Sequence, residues 1–229
     1  MVFRPPVFYN NPDDSHCMVC CLRMGYEHFN PEKSWTYDEL NQLIRKEEGK
    51  YTWFSRAYVE TAALGYRMVV YDAFDYGAFA QTPEEYLRGF YESAHAEDLI
   101  ANTNLERGIR DALATYRLEI GPHIDRRTEG ATKEALKELI EDGYLVMAMI
   151  DEASLLGMEG KVLPHAVLVY DHDEDGFIAH NPGIKSLDSA VCAQHIDYDM
   201  FRRITAFGTM PVERTIRKFM AFKPREDRD

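Results

Sequence analysis

The chain has 229 residues, 45% of them hydrophobic and 28% charged, enough to bury a substantial core in one large domain or two small ones. A net charge of −13 argues against a nucleic-acid-binding surface, which needs a basic excess. No apolar run approaches the roughly 18 residues of a membrane span, and Met1-Val2-Phe3-Arg4-Pro5-Pro6 has no signal-peptide core, so the expectation is a cytoplasmic protein with neither membrane nor nucleic acid as partner. The four cysteines are Cys17, Cys20, Cys21 and Cys192. Clustering of the first three, two of them adjacent, fits free thiols in a reducing compartment better than a disulfide framework.

Residues 1–16 are rich in Pro and Asn and read as extended. From Cys17, apolar residues recur at Cys20, Cys21 and Met24, the i, i+3, i+4, i+7 pattern of a helix with one buried face. Asn30-Pro31 ends it near Phe29. Thr36-Tyr37-Asp38-Glu39 is a capping box opening a second helix that runs to about Gly49. A third helix is predicted over Trp53–Leu64, stopped by Gly65, then a strand over Tyr66–Tyr71. Residues 72–131 are the least regular part. Helices are expected near 83–95, after Thr82-Pro83, and 104–117, and the section reads as a helical insertion or subdomain within a single domain.

Thr132 caps a helix over Lys133–Asp142. Tyr144–Asp151 reads as a buried strand and 152–163 as a loop. Strands Pro164–Tyr170 and Phe177–His180 form a hairpin about the polar turn Asp171–Gly176. A short helix over Tyr198–Arg203 and a last strand over Arg214–Phe222 complete the chain. Helices dominate the first half and antiparallel strands the second, so the expected class is α+β.

The chemistry concentrates at three places. Cys17 sits where a loop becomes a helix, facing unpaired first-turn N–H groups and the positive end of the helix dipole. Both favour the nucleophilic thiolate. The hairpin brings the start of its first strand beside the end of its second, so His165 and Asn181, 16 positions apart, become neighbours. An Asn oxygen can orient an imidazole whose other nitrogen faces a thiol, which is the nucleophile–base–orienter logic of a Cys-His-Asn triad.

This ordered set resembles the papain-like cysteine peptidases, closest to the double-glycine (bacteriocin-processing) branch. That branch carries Gln, five residues, Cys-Gly-Pro and a helix, then His-Phe-Val-Val, then Asn-Asp-Pro. This chain has Cys17-Met18-Val19-Cys20-Cys21-Leu22, then His165-Ala166-Val167-Leu168-Val169, then His180-Asn181-Pro182. The resemblance covers about residues 7–71 and 131–223. Met18-Val19 replaces Gly-Pro, and Asn11 stands six before Cys17 in place of Gln. The resemblance implies a papain-like fold and hydrolysis of a peptide or amide bond through an acyl-enzyme. Cys17 would be the nucleophile, His165 the base and Asn181 its orienter. Asn11 and the Cys17 N–H would form the oxyanion hole, with no cofactor and no metal. An acyltransferase or deamidase would use the same triad, and a silent papain-like binding module is the remaining alternative.

Other readings compete for the same residues. Cys20 and Cys21 lie past the first helical turn and read as core; His16 and His180 read as structural. Cys17-Met18-Val19-Cys20 has the spacing of a redox motif, but Asn10–His16 is not the strand such a site needs. His16, Cys17, Cys20 and Cys21 could ligate zinc, yet no second Cys or His pair has finger spacing. Asp171-x-Asp173-x-Asp175-Gly176 resembles the start of a calcium loop, but Pro182 stands where its final Glu belongs.

Overall fold

A computed structural model describes residues 4–91, 93–118, 124–159, 162–205 and 218–225. In chain order, the first helices are α1 (Cys17–Phe29), α2 (Tyr37–Leu43) and α3 (Phe54–Ala63), followed by β1 (Tyr66–Tyr71). Four helices come next: α4 (Tyr76–Gln81), α5 (Pro83–Phe90), α6 (Ser93–Asn102) and α7 (Leu105–Leu118). Then come β2 (Ile124–Arg127), α8 (Lys133–Glu141), β3 (Leu145–Asp151) and α9 (Glu152–Leu155). The hairpin strands β4 (Pro164–His172) and β5 (Gly176–Asn181) precede β6 (Val191–Asp197), α10 (Tyr198–Thr205) and β7 (Phe219–Pro224).

The strands form one seven-stranded mixed sheet in the order β2-β1-β7-β3-β4-β5-β6, so the class is α+β. Helices dominate up to Leu118 and antiparallel pairing dominates the later strands, in line with the sequence reading; the unexpected element is β2, which pairs with β1 in parallel. β2 was invisible in the sequence because Ile-Asp-Arg-Arg is a short polar edge strand with one buried residue.

Both faces of the sheet are covered. Met68, Val70, Leu145, Met147, Ala166 and Leu168 face the layer containing α1 and α3. Their alternate neighbours Val69, Val146, Ala148, Val167 and Val169 face the layer containing α8 and α10. This period of two with both sets apolar explains why β3 and β4 read as continuous hydrophobic runs. Residues of 72–131 join the same core: Phe74, Phe79, Leu87, Ala96 and Ala112 all lie in the α1-side cluster.

Helix α1 is fixed by its buried face. Leu22 and Met24 are fully buried, each contributing about 1.5–3 kcal/mol. Gly25 allows close approach to the sheet, because a Cβ there would run into the Phe222 ring of β7. The capping box at Thr36 is formed: Glu39 N–H donates to Thr36 Oγ1 at 3.2 Å, and Thr36 N–H to Glu39 Oε2 at 2.8 Å. α2 ends at Leu43 rather than near Gly49, since Arg45 turns left-handed at φ 53°. The helix expected over 83–95 is two helices, α5 and α6. The break at Tyr91, extended at φ −110° and ψ 160°, turns its ring inward. The last strand begins at Phe219; residues 214–217 of the expected strand lie outside the described residues.

Candidate active site

Cys17 is the first residue of α1. The preceding His16 makes no side-chain cap, so the first-turn N–H groups are left to the site. One first-turn amide, that of Met18, and one amide of β4, that of Ala166, act on the sulfur and favour its charged form. The third donor is the His165 side chain. Burial pushes the Cys17 thiol up, but the His165 charge and these three hydrogen bonds outweigh it and hold the thiol below its ordinary value. His165 moves the opposite way. Burial depresses it, but the Cys17 charge, its hydrogen bond, the Glu152 charge and the Asn181 hydrogen bond together raise it. The two shifts run toward each other, each group favouring the charged form of its neighbour.

The β4–β5 hairpin does what its length predicts. Leu168 lies opposite His180, and His165 Nε2 meets Asn181 Oδ1 at 2.8 Å. The orientation of Asn181 follows from its other partners. Gly183 N–H donates to Oδ1 at 2.9 Å. Nδ2 donates to Glu152 Oε1 and Oε2, both at 3.2 Å, and to Gln194 Oε1 at 3.1 Å. Oδ1 is therefore the acceptor, Nε2 carries a proton, and Nδ1 is left to face the thiol. His165 and Asn181 are each 1% exposed and Glu152 is not exposed at all.

Glu152 and Gln194 were not legible in the sequence. Glu152 opens the four-residue helix α9 inside a segment that reads as a loop. Its N–H donates to Leu163 O at 2.9 Å, and Asp151 Oδ1 accepts from Ala153 and Leu163 N–H, folding the loop back toward β4. The one available signal was an acid placed directly after a buried strand. Gln194 lies on β6, an edge strand with mostly exposed residues and no alternation strong enough to predict it.

Asn11 is 5% exposed and tied on every side. Its Oδ1 accepts from His16 N–H at 3.1 Å and Asp13 N–H at 3.4 Å; Nδ2 donates to Gly183 O at 3.0 Å; its own N–H donates to Pro182 O at 2.9 Å. It locks the helix entrance against the loop leaving Asn181. One Nδ2 hydrogen remains, since an amide has two.

The remaining predicted residues are accounted for by ordinary bonds. His180 donates through Nε2 to Pro6 O at 2.9 Å and accepts through Nδ1 from Ala193 N–H. His16 pairs with Asp13 at 2.7 Å and with Asn41 at 3.1 Å. Cys20 and Cys21 are fully buried. Burial drives both thiols up, Cys20 to about 12, so neither is a thiolate at neutral pH. Asp173 Oδ1 accepts from the Asp175 and Gly176 N–H groups, both at 2.9 Å, which closes the hairpin turn.

Cys17 opens onto a cavity of about 860 Å³, walled by Met18, Trp53, Phe54, Tyr91, Met149 and Lys218 among others. That volume suits a small organic ligand or a short peptide. Cys17 lines it, whereas His165 and Asn181 are buried outside its walls. Compared with known proteins, the chain matches no family model, no curated protein and no solved structure.

Proposed function

We propose that this chain is a cysteine-dependent amidase or peptidase of papain type, with Cys17 as nucleophile, His165 as acid–base and Asn181 as orienter. The observation that carries this reading is the Cys17–His165 contact with opposite displacement of the two groups, set at the wall of a cavity large enough for a substrate. The order of the motifs along the chain supports it.

The reaction in this reading runs as follows for an amide substrate. The Cys17 thiolate attacks the carbonyl carbon, forming a C–S bond and moving the C=O electron pair onto oxygen. In this reading the Cys17 N–H receives the oxyanion, with Asn11, at the position of the family's Gln, as the second donor; one such donor is worth on the order of 10²–10³ in rate. The oxyanion collapses, the C–N bond breaks, and His165 passes its proton to the departing amine. His165 then takes a proton from water, whose oxygen attacks the thioester. The acid leaves and the thiolate–imidazolium pair is restored.

A peptide library offered to the protein, with products read by mass spectrometry, tests the activity. Cleavage that disappears in Cys17→Ala and His165→Ala, with an acyl adduct trapped on Cys17, is expected. Cleavage that persists in Cys17→Ala would contradict the assignment.

A further inference from the structure

The cavity beside Cys17 is not uniformly apolar, and its charges sit at different depths. The acids Asp14 and Glu129 line it at exposed positions, where water screens them. Asp72 lies deep, at 4% exposure, but its carboxylate is already served. Oδ1 accepts from Phe74 N–H at 3.0 Å; Oδ2 accepts from Tyr76 Oη at 2.6 Å and Tyr58 Oη at 3.1 Å.

Lys218 is different. It is half-buried in the cavity wall. Among the described residues its hydrogen-bond partner is Tyr91 Oη at 3.1 Å, and no carboxylate of a described residue pairs with it. An ammonium has three donors, so two have no described acceptor. Burial pulls the Lys218 ammonium down, but the Tyr91 ring hydroxyl and the Asp72 charge more than restore it, so it stays cationic. A partly dehydrated cation whose described partner is one neutral hydroxyl favours an anion.

The sheet sets the scale of the span. Lys218 O accepts from Met149 N–H at 3.0 Å. Met149 lies opposite Ala166 on β4, whose backbone amide acts on the Cys17 sulfur. The Lys218 backbone is therefore two strand spacings from that of Ala166, about 10 Å.

We propose that Lys218 receives a carboxylate of the substrate, so that the cavity selects amides whose apolar body ends in a carboxylate on the order of 10 Å from the scissile carbonyl. The carboxylate is that of a short peptide's C-terminus or of an acyl chain's far end. This inference rests on Cys17 being the group that meets substrate.

Haloacetamide probes test it without a known substrate. Iodoacetyl derivatives of glycine and of aminohexanoic acid, each as free acid and as neutral carboxamide, are compared for their rate of alkylating Cys17. Only the longer acid spans the distance, and it should react about tenfold faster than its carboxamide, the low end for a charged hydrogen bond. The glycine pair should show no such preference, nor should Cys192 with any probe. Lys218→Met should abolish the preference and Lys218→Arg retain it. An acid/carboxamide ratio near one for the long probe in the wild-type protein would overturn the proposal. The ratio is independent of the intrinsic reactivity of Cys17, which plain iodoacetamide measures separately, so loss of the triad reading and loss of this one are distinguishable. Two further arms separate the sources: peptides of equal length with free or amidated C-termini, and dicarboxylic monoamides with free or esterified ends.

Discussion

The amide nitrogen of Asn181 lies 3.2 Å from each carboxylate oxygen of Glu152. That contact decides which way Asn181 faces, and hence which nitrogen of His165 carries the proton. It also places a fully buried negative charge behind the imidazolium. Glu152→Gln keeps the volume and an acceptor for Asn181, whose orientation Gly183 and Gln194 still hold, but removes the charge. Turnover should fall about tenfold or more, the scale of one charge at this range in a semi-dry interior. Stability should hold or rise, because a buried carboxylate is costly. Thermal melting and steady-state rates on the same variant check both. Unchanged turnover would leave Glu152 a purely structural residue.

The same carboxylate dictates Asn rather than Asp at position 181. Asn181→Asp would set two carboxylates at the present 3.2 Å separation, forcing one to take up a proton or repel its neighbour. A loss of about 3 kcal/mol is expected, on the scale of an uncompensated buried charge. The double variant Glu152→Gln with Asn181→Asp should recover most of it. Chemical denaturation of the three variants reads the coupling.

Gly183 holds the loop to which Asn11 is tied. Its φ is +73°, and a Cβ would collide with the backbone of Ser189 and Ala190. Gly183→Ala should cost about 2 kcal/mol or more, combining left-handed strain with overpacking. Because Gly183 bonds both Asn11 and Asn181, turnover should suffer as well. A control at Gly89→Ala, in helix α5 with nothing within 4 Å of an added Cβ, should leave turnover unchanged and hold or slightly raise stability.

The pH dependence has a definite shape. Cleavage needs the thiolate and also a proton on His165 for the leaving amine. Falling pH protonates the sulfur, whose value is lowered, and rising pH removes the proton from His165, whose value is raised. Turnover should be bell-shaped. Alkylation needs only the thiolate, so it should fall on the acid side alone. Identical profiles for the two reactions would argue against His165 as the acid.

The sequence carried the hairpin clearly. Two short apolar runs, a polar turn and the positions of His165 and Asn181 sufficed to bring those side chains together, because hairpin pairing is a local, countable geometry. The start of α1 was equally legible from the spacing of Cys17, Cys20, Cys21 and Met24. Glu152 and Lys218 were not. Each reaches the site from just beyond a strand end, and only the sheet order, which sequence periodicity does not encode, places β3 beside β4 and β7 one strand further on. The parallel edge pair β1–β2 was missed for the same reason: Ile124–Arg127 gains its place from the strand beside it, not from its own propensity.

The most direct test of the central claim is the rate of iodoacetamide labelling against pH, mapped to individual cysteines, in wild type and His165→Ala. The Cys17–His165 pair predicts rapid labelling of Cys17 alone near pH 6, with Cys20 and Cys21 silent while the protein stays folded. In His165→Ala the burial of Cys17 acts unopposed by the imidazolium, and the fast reaction should vanish. Labelling of Cys17 no faster than Cys192, or only above roughly pH 8 as for an unperturbed thiol, would contradict the account.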